Sequence, residues 1–256
     1  MSKKVVVLML LGVFVLSLAL VGCGQQAPAK PKVLNVGSDT AFAPFEFQDE
    51  KSKEYVGFDM DLIKAIGKQM GYEVKVQGMN FDGLIPALEA GSVDAVISAM
   101  TITDERAKKV NFSKPYYKSG LTIVVKPDND TIKEFKDLDG KRIAVQIGTT
   151  GADEAKKVKD AKIREFNTAP EAFLELRAGG VDAVVNDLPV NEYYIAQMGG
   201  KDGKIVGKPL TAEDYGIATA KKNTELAQQI DKALDELKKN GEYEKIYIKW
   251  FGKKPQ

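Results

Sequence analysis

From Lys32 onward the chain switches repeatedly between short apolar runs and apolar positions at helical spacing. Val33–Ser38, Tyr72–Gln77, Asp94–Ser98, Leu121–Val125, Arg142–Ile147, Lys162–Phe166 and Val181–Asn186 have the length and composition of strands. Phe45–Phe47 and Tyr55–Val56 are placed to pair as a hairpin. Phe58, Leu62, Ile66 and Met70 recur at spacing four, which predicts a helix over Asp59–Met70 that Gly71 stops. Further helices are predicted over Phe81–Ala90, Thr150–Lys159, Pro170–Ala178, Leu188–Met198 and Thr224–Lys239. After a break at Gly241, one more is predicted over Tyr243–Phe251. Strands alternating with helices in this way predict an α/β fold with largely parallel sheets.

An internal repeat divides this pattern in two. Ala90-Gly91-Ser92-Val93-Asp94-Ala95-Val96 recurs as Ala178-Gly179-Gly180-Val181-Asp182-Ala183-Val184. Each copy follows an amphipathic helix, carrying Leu84 and Leu88 in one case and Phe173 and Leu176 in the other. Each begins with a Gly able to cap that helix and runs into a strand. Two similar α/β lobes follow from that arrangement. In open α/β sheets ligands bind beyond the carboxyl ends of strands, so the informative residues should lie there.

The beginning of the chain obeys another pattern. Lys3 and Lys4 precede an almost unbroken apolar run from Val5 to Val21, ending in Leu20-Val21-Gly22-Cys23. A charged start, an apolar middle and a small residue before the cut describe a secretory signal. The Leu-Val-Gly-Cys ending resembles the lipobox of bacterial lipoproteins, and Cys23 is the only Cys in the 256 residues. The reading is a signal over 1–22, an acylated Cys23 and a tether over 23–31, whose Pro28 and Pro31 keep it semi-extended. Removing residues 1–22 takes away two lysines and no acid, which moves the formal net charge from +1 to −1. The mature body is expected outside the cytoplasmic membrane, at the bacterial surface or in the periplasm, held there by lipid.

Composition closes off several kinds of chemistry. The chain has no His, which removes His-dependent triads, general bases and zinc sites. A single Cys removes disulfides and Cys-rich metal centres. A near-neutral charge argues against a nucleic-acid surface. A location without ATP weighs against kinases and ATPases. No cofactor and no metal are expected.

The strand ends supply the candidate chemistry. After the first strand comes Asp39-Thr40-Ala41-Phe42-Ala43-Pro44-Phe45, and after Asp94–Ser98 comes Ala99-Met100-Thr101-Ile102-Thr103-Asp104-Glu105-Arg106. Gly148-Thr149-Thr150-Gly151 follows Arg142–Ile147, and Asn186-Asp187 follows Val181–Val185. This inventory suits a zwitterionic amino acid. Arg106 offers a fork of donors for an α-carboxylate, helped by the helix start at Thr150. Asp187 and the Thr101 hydroxyl offer acceptors for an α-ammonium, and Phe42 and Phe81 could wall a side chain. Blander readings stand beside these. Thr103-Asp104-Glu105 suits a helix cap with Arg106 on that helix's surface. Asp39 and Asp187 could be turn caps, the two Phe core residues, and Gly148–Gly151 a phosphate cradle.

Nearly the whole mature chain resembles the polar-amino-acid family of bacterial solute-binding proteins, the receptors of ABC importers, notably glutamine-binding and arginine/lysine/ornithine-binding members. The resemblance is carried by Asp39 to Phe47, Tyr55-Val56-Gly57-Phe58-Asp59, Phe81 to Leu88, Thr101 to Arg106, Gly148 to Gly151 and Tyr243 to Gly252. It implies a two-lobed, periplasmic-binding-protein-like (type II) fold, each lobe a mixed, mostly parallel sheet with helices on both faces. Lobe one is expected over 32–115 plus 216–256 and lobe two over 121–210, joined by hinge strands at 116–120 and 211–215. By the same resemblance Arg106 binds the α-carboxylate with Thr150, and Asp187 the α-ammonium with Thr101 and the Ala99 backbone. Phe42 and Phe81 then hold the side chain, and Asp39 meets its tip. Two positions depart from the glutamine receptor: Gln146, before Ile147-Gly148-Thr149, stands where that receptor has a Lys, and Asn186 where it has a His. Both remove positive character, which favours a cationic tip at Asp39. Ser98 resembles the arginine/lysine-type receptors, so arginine stands slightly ahead of glutamine. The implied protein is a monomer that delivers a free L-amino acid to an ABC permease. A cyclohexadienyl (arogenate or prephenate) dehydratase on the same fold is the alternative; it would need Asp39 or Asp187 as a general acid.

Overall fold

Both copies of the repeat fold alike, and each helps to build one sheet. The computed structural model describes residues 32–197 and 200–255; the signal and tether expected over 1–31 lie outside these residues, as does Met198. The strands of the first half are β1 (Lys32–Ser38), β2 (Ala41–Phe42), β3 (Glu46–Gln48), β4 (Tyr55–Val56), β5 (Tyr72–Gly78), β6 (Ala95–Val96) and β7 (Val110–Phe112). Then come β8 (Tyr117–Ser119), β9 (Leu121–Val125), β10 (Arg142–Gln146), β11 (Lys162–Phe166), β12 (Ala183–Asp187), β13 (Lys204–Val206), β14 (Glu213–Tyr215) and β15 (Ala218–Ala220). The helices are α1 (Phe58–Met70), α2 (Leu84–Ala90), α3 (Asp104–Lys109), α4 (Thr150–Ala155), α5 (Ala169–Ala178), α6 (Leu188–Gln197), α7 (Thr224–Lys239) and α8 (Glu242–Phe251).

One five-stranded sheet runs β5-β1-β6-β15-β7 and the other β11-β10-β12-β9-β13. In the first, β1 is parallel to β5 and β6, while β15 is antiparallel to β6 and β7. In the second, β10 is parallel to β11 and β12, while β9 is antiparallel to β12 and β13. The protein thus has two sheet–helix lobes with mixed, mostly parallel sheets. The repeats occupy matching places in them. Gly91 and Gly179 both take the left-handed conformation that ends a helix, at φ 73° and 80°. Asp94 then donates its N–H to the Asn35 carbonyl and accepts the Asn35 N–H on its carboxylate, each at 2.8 Å. Asp182 does the same with Arg142, at 2.8 and 2.9 Å. In each lobe the repeat's Asp thus pins its strand to the neighbouring parallel strand.

The chain passes between the sheets twice, from β7 through β8 to β9 and from β13 through β14 to β15. β8 and β14 pair antiparallel, Glu213 opposite Ser119 and Tyr215 opposite Tyr117. Aromatic rings wedge this waist in place. Tyr117 stacks on Tyr215 with ring centroids 5.6 Å apart, and Phe45 meets both edge-on at 4.9 and 5.3 Å. Tyr247 and Phe251 of α8 close the cluster against Tyr117.

Several elements differ from the sequence expectation for local reasons. The helix expected over Phe81–Ala90 begins as a single 3₁₀ turn, Phe81–Gly83, with α2 starting at Leu84. Pro86 has no N–H to give residue 82, so it fits only within the first turn of an α-helix. The helix expected over Thr150–Lys159 ends at Ala155, where Lys157 and Val158 bond back three residues instead of four. The strand expected over Asp94–Ser98 keeps only Ala95–Val96, because the chain leaves the ladder to reach Ala99 at φ 44°. α3, β7, β13 and β15 were not anticipated as elements; only a cap at Thr103 pointed to the first of them. Thr103 does cap α3, accepting the Arg106 N–H at 3.2 Å.

Candidate functional site

The loops at the carboxyl ends of β1, β6, β10 and β12 converge on one small cavity. It is lined by Phe42, Phe81, Ala99, Thr101, Arg106, Gln146, Thr149, Thr150 and Asp187. Every one of these was singled out in the sequence. Asp39, Ser98 and Asn186 were singled out too, and the structure does not bring them to the cavity wall.

Arg106 leaves α3 and spans the gap between lobes. Its Nη1 donates to the Thr101 carbonyl at 2.8 Å and its Nη2 to the Gly148 carbonyl at 3.0 Å. The guanidinium carbon lies 5.2 Å from the centre of the Phe81 ring, a cation–π contact. Burial pulls the Arg106 pKa down while Glu213, Asp153 and Asp187 act against it. Gly148 is at φ 76°, and a Cβ there would stand 3.0 Å from the Cβ of Asp82 on the other lobe. Only glycine lets these backbones approach closely enough for the Arg106 bond.

Asp187 ends β12, buried, with its Oδ1 accepting the Ser119 hydroxyl at 3.3 Å. Burial first, and then Glu213 beside it, hold its carboxyl well above the usual carboxylate range. The Thr101 hydroxyl donates to Glu213 Oε2 at 3.1 Å, which leaves its lone pairs for an incoming donor. Ala99 is tied from below: its N–H donates to Asp59 Oδ2 at 2.8 Å, and the Tyr116 hydroxyl donates to the same oxygen at 2.7 Å. Glu46 is fully buried and has its pKa raised far above normal by burial and by the two neighbouring acids, Asp59 and Asp39.

Asp39 is reached through Gln146, whose Nε2 donates to its carboxylate and, at 2.9 Å, to the Asn167 carbonyl. Both partners are acceptors, which fixes the amide's orientation. Burial raises the Asp39 pKa to about 6, with the Gln146 bond opposing. Ser98 works underneath, accepting the Asp39 N–H and donating to Glu46, both at 2.9 Å. Asn186 gives its carbonyl to the Asn191 amide at 2.9 Å. The Thr149 hydroxyl is also committed, donating to the Gln146 carbonyl at 2.7 Å and capping α4 through the Ala152 N–H at 3.2 Å.

Three acids escaped notice as functional groups in the sequence: Glu213, Asp59 and Glu46. In a linear reading Glu213 is one charge in a polar stretch before Asp214-Tyr215, with nothing to separate it from a solvated residue. Only the pairing of the two crossings brings it under Thr101.

A family model described as bacterial extracellular solute-binding proteins, family 3, matches residues 34–253. The chain is 36% identical over 251 residues to the arginine-binding extracellular protein ArtP of Bacillus subtilis (strain 168), covering 95% of this chain and 97% of that one. Among solved structures it is similar to an ancestral arginine-binding protein bound to arginine, with 50% identity and a TM-score of 0.83. A structure of an ancestral arginine-binding protein bound to glutamine gives 49% and 0.81; each covers 86% of this chain and 98% of the other. The lobed fold, the cleft at its strand ends and these matches agree: the chain belongs to the bacterial extracellular solute-binding proteins, family 3.

Proposed function

We propose that this protein captures a polar L-amino acid outside the cell membrane, arginine ahead of glutamine, and delivers it to an ABC permease. The observation that carries the reading is Arg106 and Asp187 in one buried cavity, the two opposite charges that an α-carboxylate and an α-ammonium require. Arg106 takes the carboxylate, with Thr150 beside it. Asp187, Thr101 and the Ala99 backbone take the ammonium, and Phe42 and Phe81 flank the side chain. Asp39 lies toward the tip, where a cationic group takes over the place of the Gln146 amide. Asp187 in the cavity and Asp39 and Glu213 buried near it outnumber Arg106, the one cation among the described residues lining the cavity, so a positively charged ligand leaves less buried charge uncompensated than a neutral one. The relatives support both ligands as candidates, since structures of ancestral arginine-binding proteins hold arginine in one case and glutamine in the other. Groups from both lobes meet the ligand, so binding favours the closed arrangement. No catalytic step is assigned to the site.

A thermal-shift screen of the twenty amino acids with ornithine and citrulline tests the reading. A ligand at 100 times its Kd adds about 2.7 kcal/mol of stability. Arginine should give the largest shift and glutamine the next. A flat response across the panel would reject the assignment.

The anchor is proposed at Cys23, since two or more acyl chains hold a protein stably where one does not. Cys23→Ser should release the protein from membranes without altering amino-acid binding. Retention of the Ser variant after a high-salt wash would defeat the lipid anchor.

A further inference from the structure

Gly57-Phe58-Asp59 opens α1, and the proposed binding roles leave this segment unused. Each of its residues makes a distinct contact. Gly57 is at φ 135°, and a Cβ there would collide with the Phe45 carbonyl oxygen, so only glycine lets the helix start at that point. Phe58 packs its ring against Tyr116, Tyr117 and Phe251, with centroids 6.2, 6.0 and 5.2 Å away. Asp59 is fully buried, and its Oδ2 accepts two donors, the Ala99 N–H at 2.8 Å and the Tyr116 hydroxyl at 2.7 Å. Its Oδ1 is buried with no hydrogen-bond partner among the described residues. A buried carboxyl left half-satisfied costs stability, so its presence calls for an explanation other than stability.

Ala99 supplies that explanation. It lines the cavity and sits at φ 44°, in the left-handed region that residues other than glycine rarely adopt. Backbone in such a conformation clusters at ligand clamps, where the surrounding bonds over-determine it. Here the bonds come from both sides of the residue. Before it, the Ser98 hydroxyl accepts the Asp39 N–H and donates to Glu46, both at 2.9 Å. After it, the Met100 carbonyl accepts the Gly216 N–H at 3.0 Å, and the Ile102 N–H donates to the Asp214 carbonyl at 2.8 Å. Ala99 itself is held at its N–H by Asp59. We propose that Asp59 is a positioning residue of the ammonium site: it keeps Ala99 left-handed, so that the Ala99 backbone and the Thr101 hydroxyl meet the ligand's ammonium together. This rests on the amino-acid reading given above. Asp59 does not line the cavity and acts only through Ala99, while the Tyr116 hydroxyl fixes the acid from the start of the first crossing between the lobes. Without Asp59 the Ala99 N–H loses its acceptor, and the backbone relaxes toward an ordinary negative φ and away from the ammonium.

Isothermal titration of the full chain and its variants with arginine and with glutamine tests the role. Asp59→Ala should weaken both ligands alike by roughly 5-fold to 30-fold, the factor that matches the usual cost of a left-handed L-residue. Asp59→Asn keeps an oxygen for the Ala99 N–H and should stay within about threefold of the unmodified protein. Ala99→Gly separates positioning from packing, because glycine adopts the left-handed conformation without steric cost. Alone it should not tighten binding; in the Asp59→Ala background it should restore most of the lost affinity. Asp59→Leu fills the vacated volume and carries the same comparison should the alanine variant not fold. Full affinity in Asp59→Ala would overturn the proposal. Equal losses in Asp59→Asn and Asp59→Ala would overturn it too, making the charge and not the geometry the contribution. Failure of Ala99→Gly to restore binding in the Asp59→Ala or Asp59→Leu background would leave Asp59 a core residue and nothing more. Absence of binding of any amino acid to the unmodified protein would instead overturn the functional reading, and the positioning role with it.

Discussion

Replacing Arg106 by Ala is expected to weaken binding of every L-amino acid by at least 100-fold. The guanidinium is held from three sides, by the Thr101 carbonyl, the Gly148 carbonyl and the face of Phe81. Those contacts fix its plane before a ligand arrives, so little rotamer freedom is left to lose on binding. A carboxylate docked there would be paired between the lobes, where removal of one partner of a buried ion pair costs roughly 3–5 kcal/mol. At about 1.4 kcal/mol per tenfold, that is a loss of 100-fold to several thousand-fold. The loss should be similar for arginine and glutamine, because both present the same α-carboxylate. Arg106→Lys should recover only part of it: an ammonium keeps the charge but cannot span two carbonyls and a carboxylate with planar donors. Titration calorimetry of both variants against both ligands measures this. A loss confined to one amino acid would place Arg106 at the side chain instead of the backbone end.

The fold was legible because its longer elements carry their signals locally. α1 and α7 show the helical spacing of apolar residues, and Gly71 ends α1 in the left-handed conformation that its position suggested. The three-residue strands β7, β13 and β15 carry no such signal. They exist because a neighbour supplies the ladder, as β15 does by inserting between β6 and β7 from a distant part of the chain. Irregular backbone near the cavity was equally hidden. Ala99 adopts a positive φ because Asp59, on α1, holds its N–H, and a single sequence does not connect those two residues.

The candidate site divides in the same way. Residues directly after strand ends could be found, since the α/β architecture dictates where loops converge. Distinguishing residues that line the cavity from those that support it required geometry. Ser98 and Asn186 occupy such positions, yet their bonds to Glu46 and Asn191 place them in the supporting framework. Glu213 and Asp59 stayed invisible because their roles depend on contacts across the waist and beneath the cavity floor.

Asp39→Asn should separate the two leading ligands where Arg106→Ala does not. Asp39 is buried and holds the Gln146 amide, which also donates to Asn167 and leaves Gln146 Oε1 buried without a partner. A guanidinium carries donors only, so it can satisfy both that oxygen and the Asp39 carboxylate. Glutamine's tip brings one donor group and one acceptor, and the acceptor finds an acidic, acceptor-rich wall. Hydrogen bonds to a charged group contribute about 1.5–3 kcal/mol, so loss of the Asp39 charge should weaken arginine roughly 10-fold to 150-fold. Glutamine should change by less than about fivefold, since Asn retains an acceptor for its amide. The pH dependence follows from burial. With its pKa raised to about 6, Asp39 is ionised above that value and takes up a proton below it. Arginine binding to the unmodified protein should therefore fall as pH drops through about 6, and the Asn variant should lose that component of the fall while glutamine lacks it in both proteins. Equal losses of arginine and glutamine in Asp39→Asn would make Asp39 a framework residue like Ser98, and the preference for a cationic ligand would then have to rest on Asp187 and Glu213 alone.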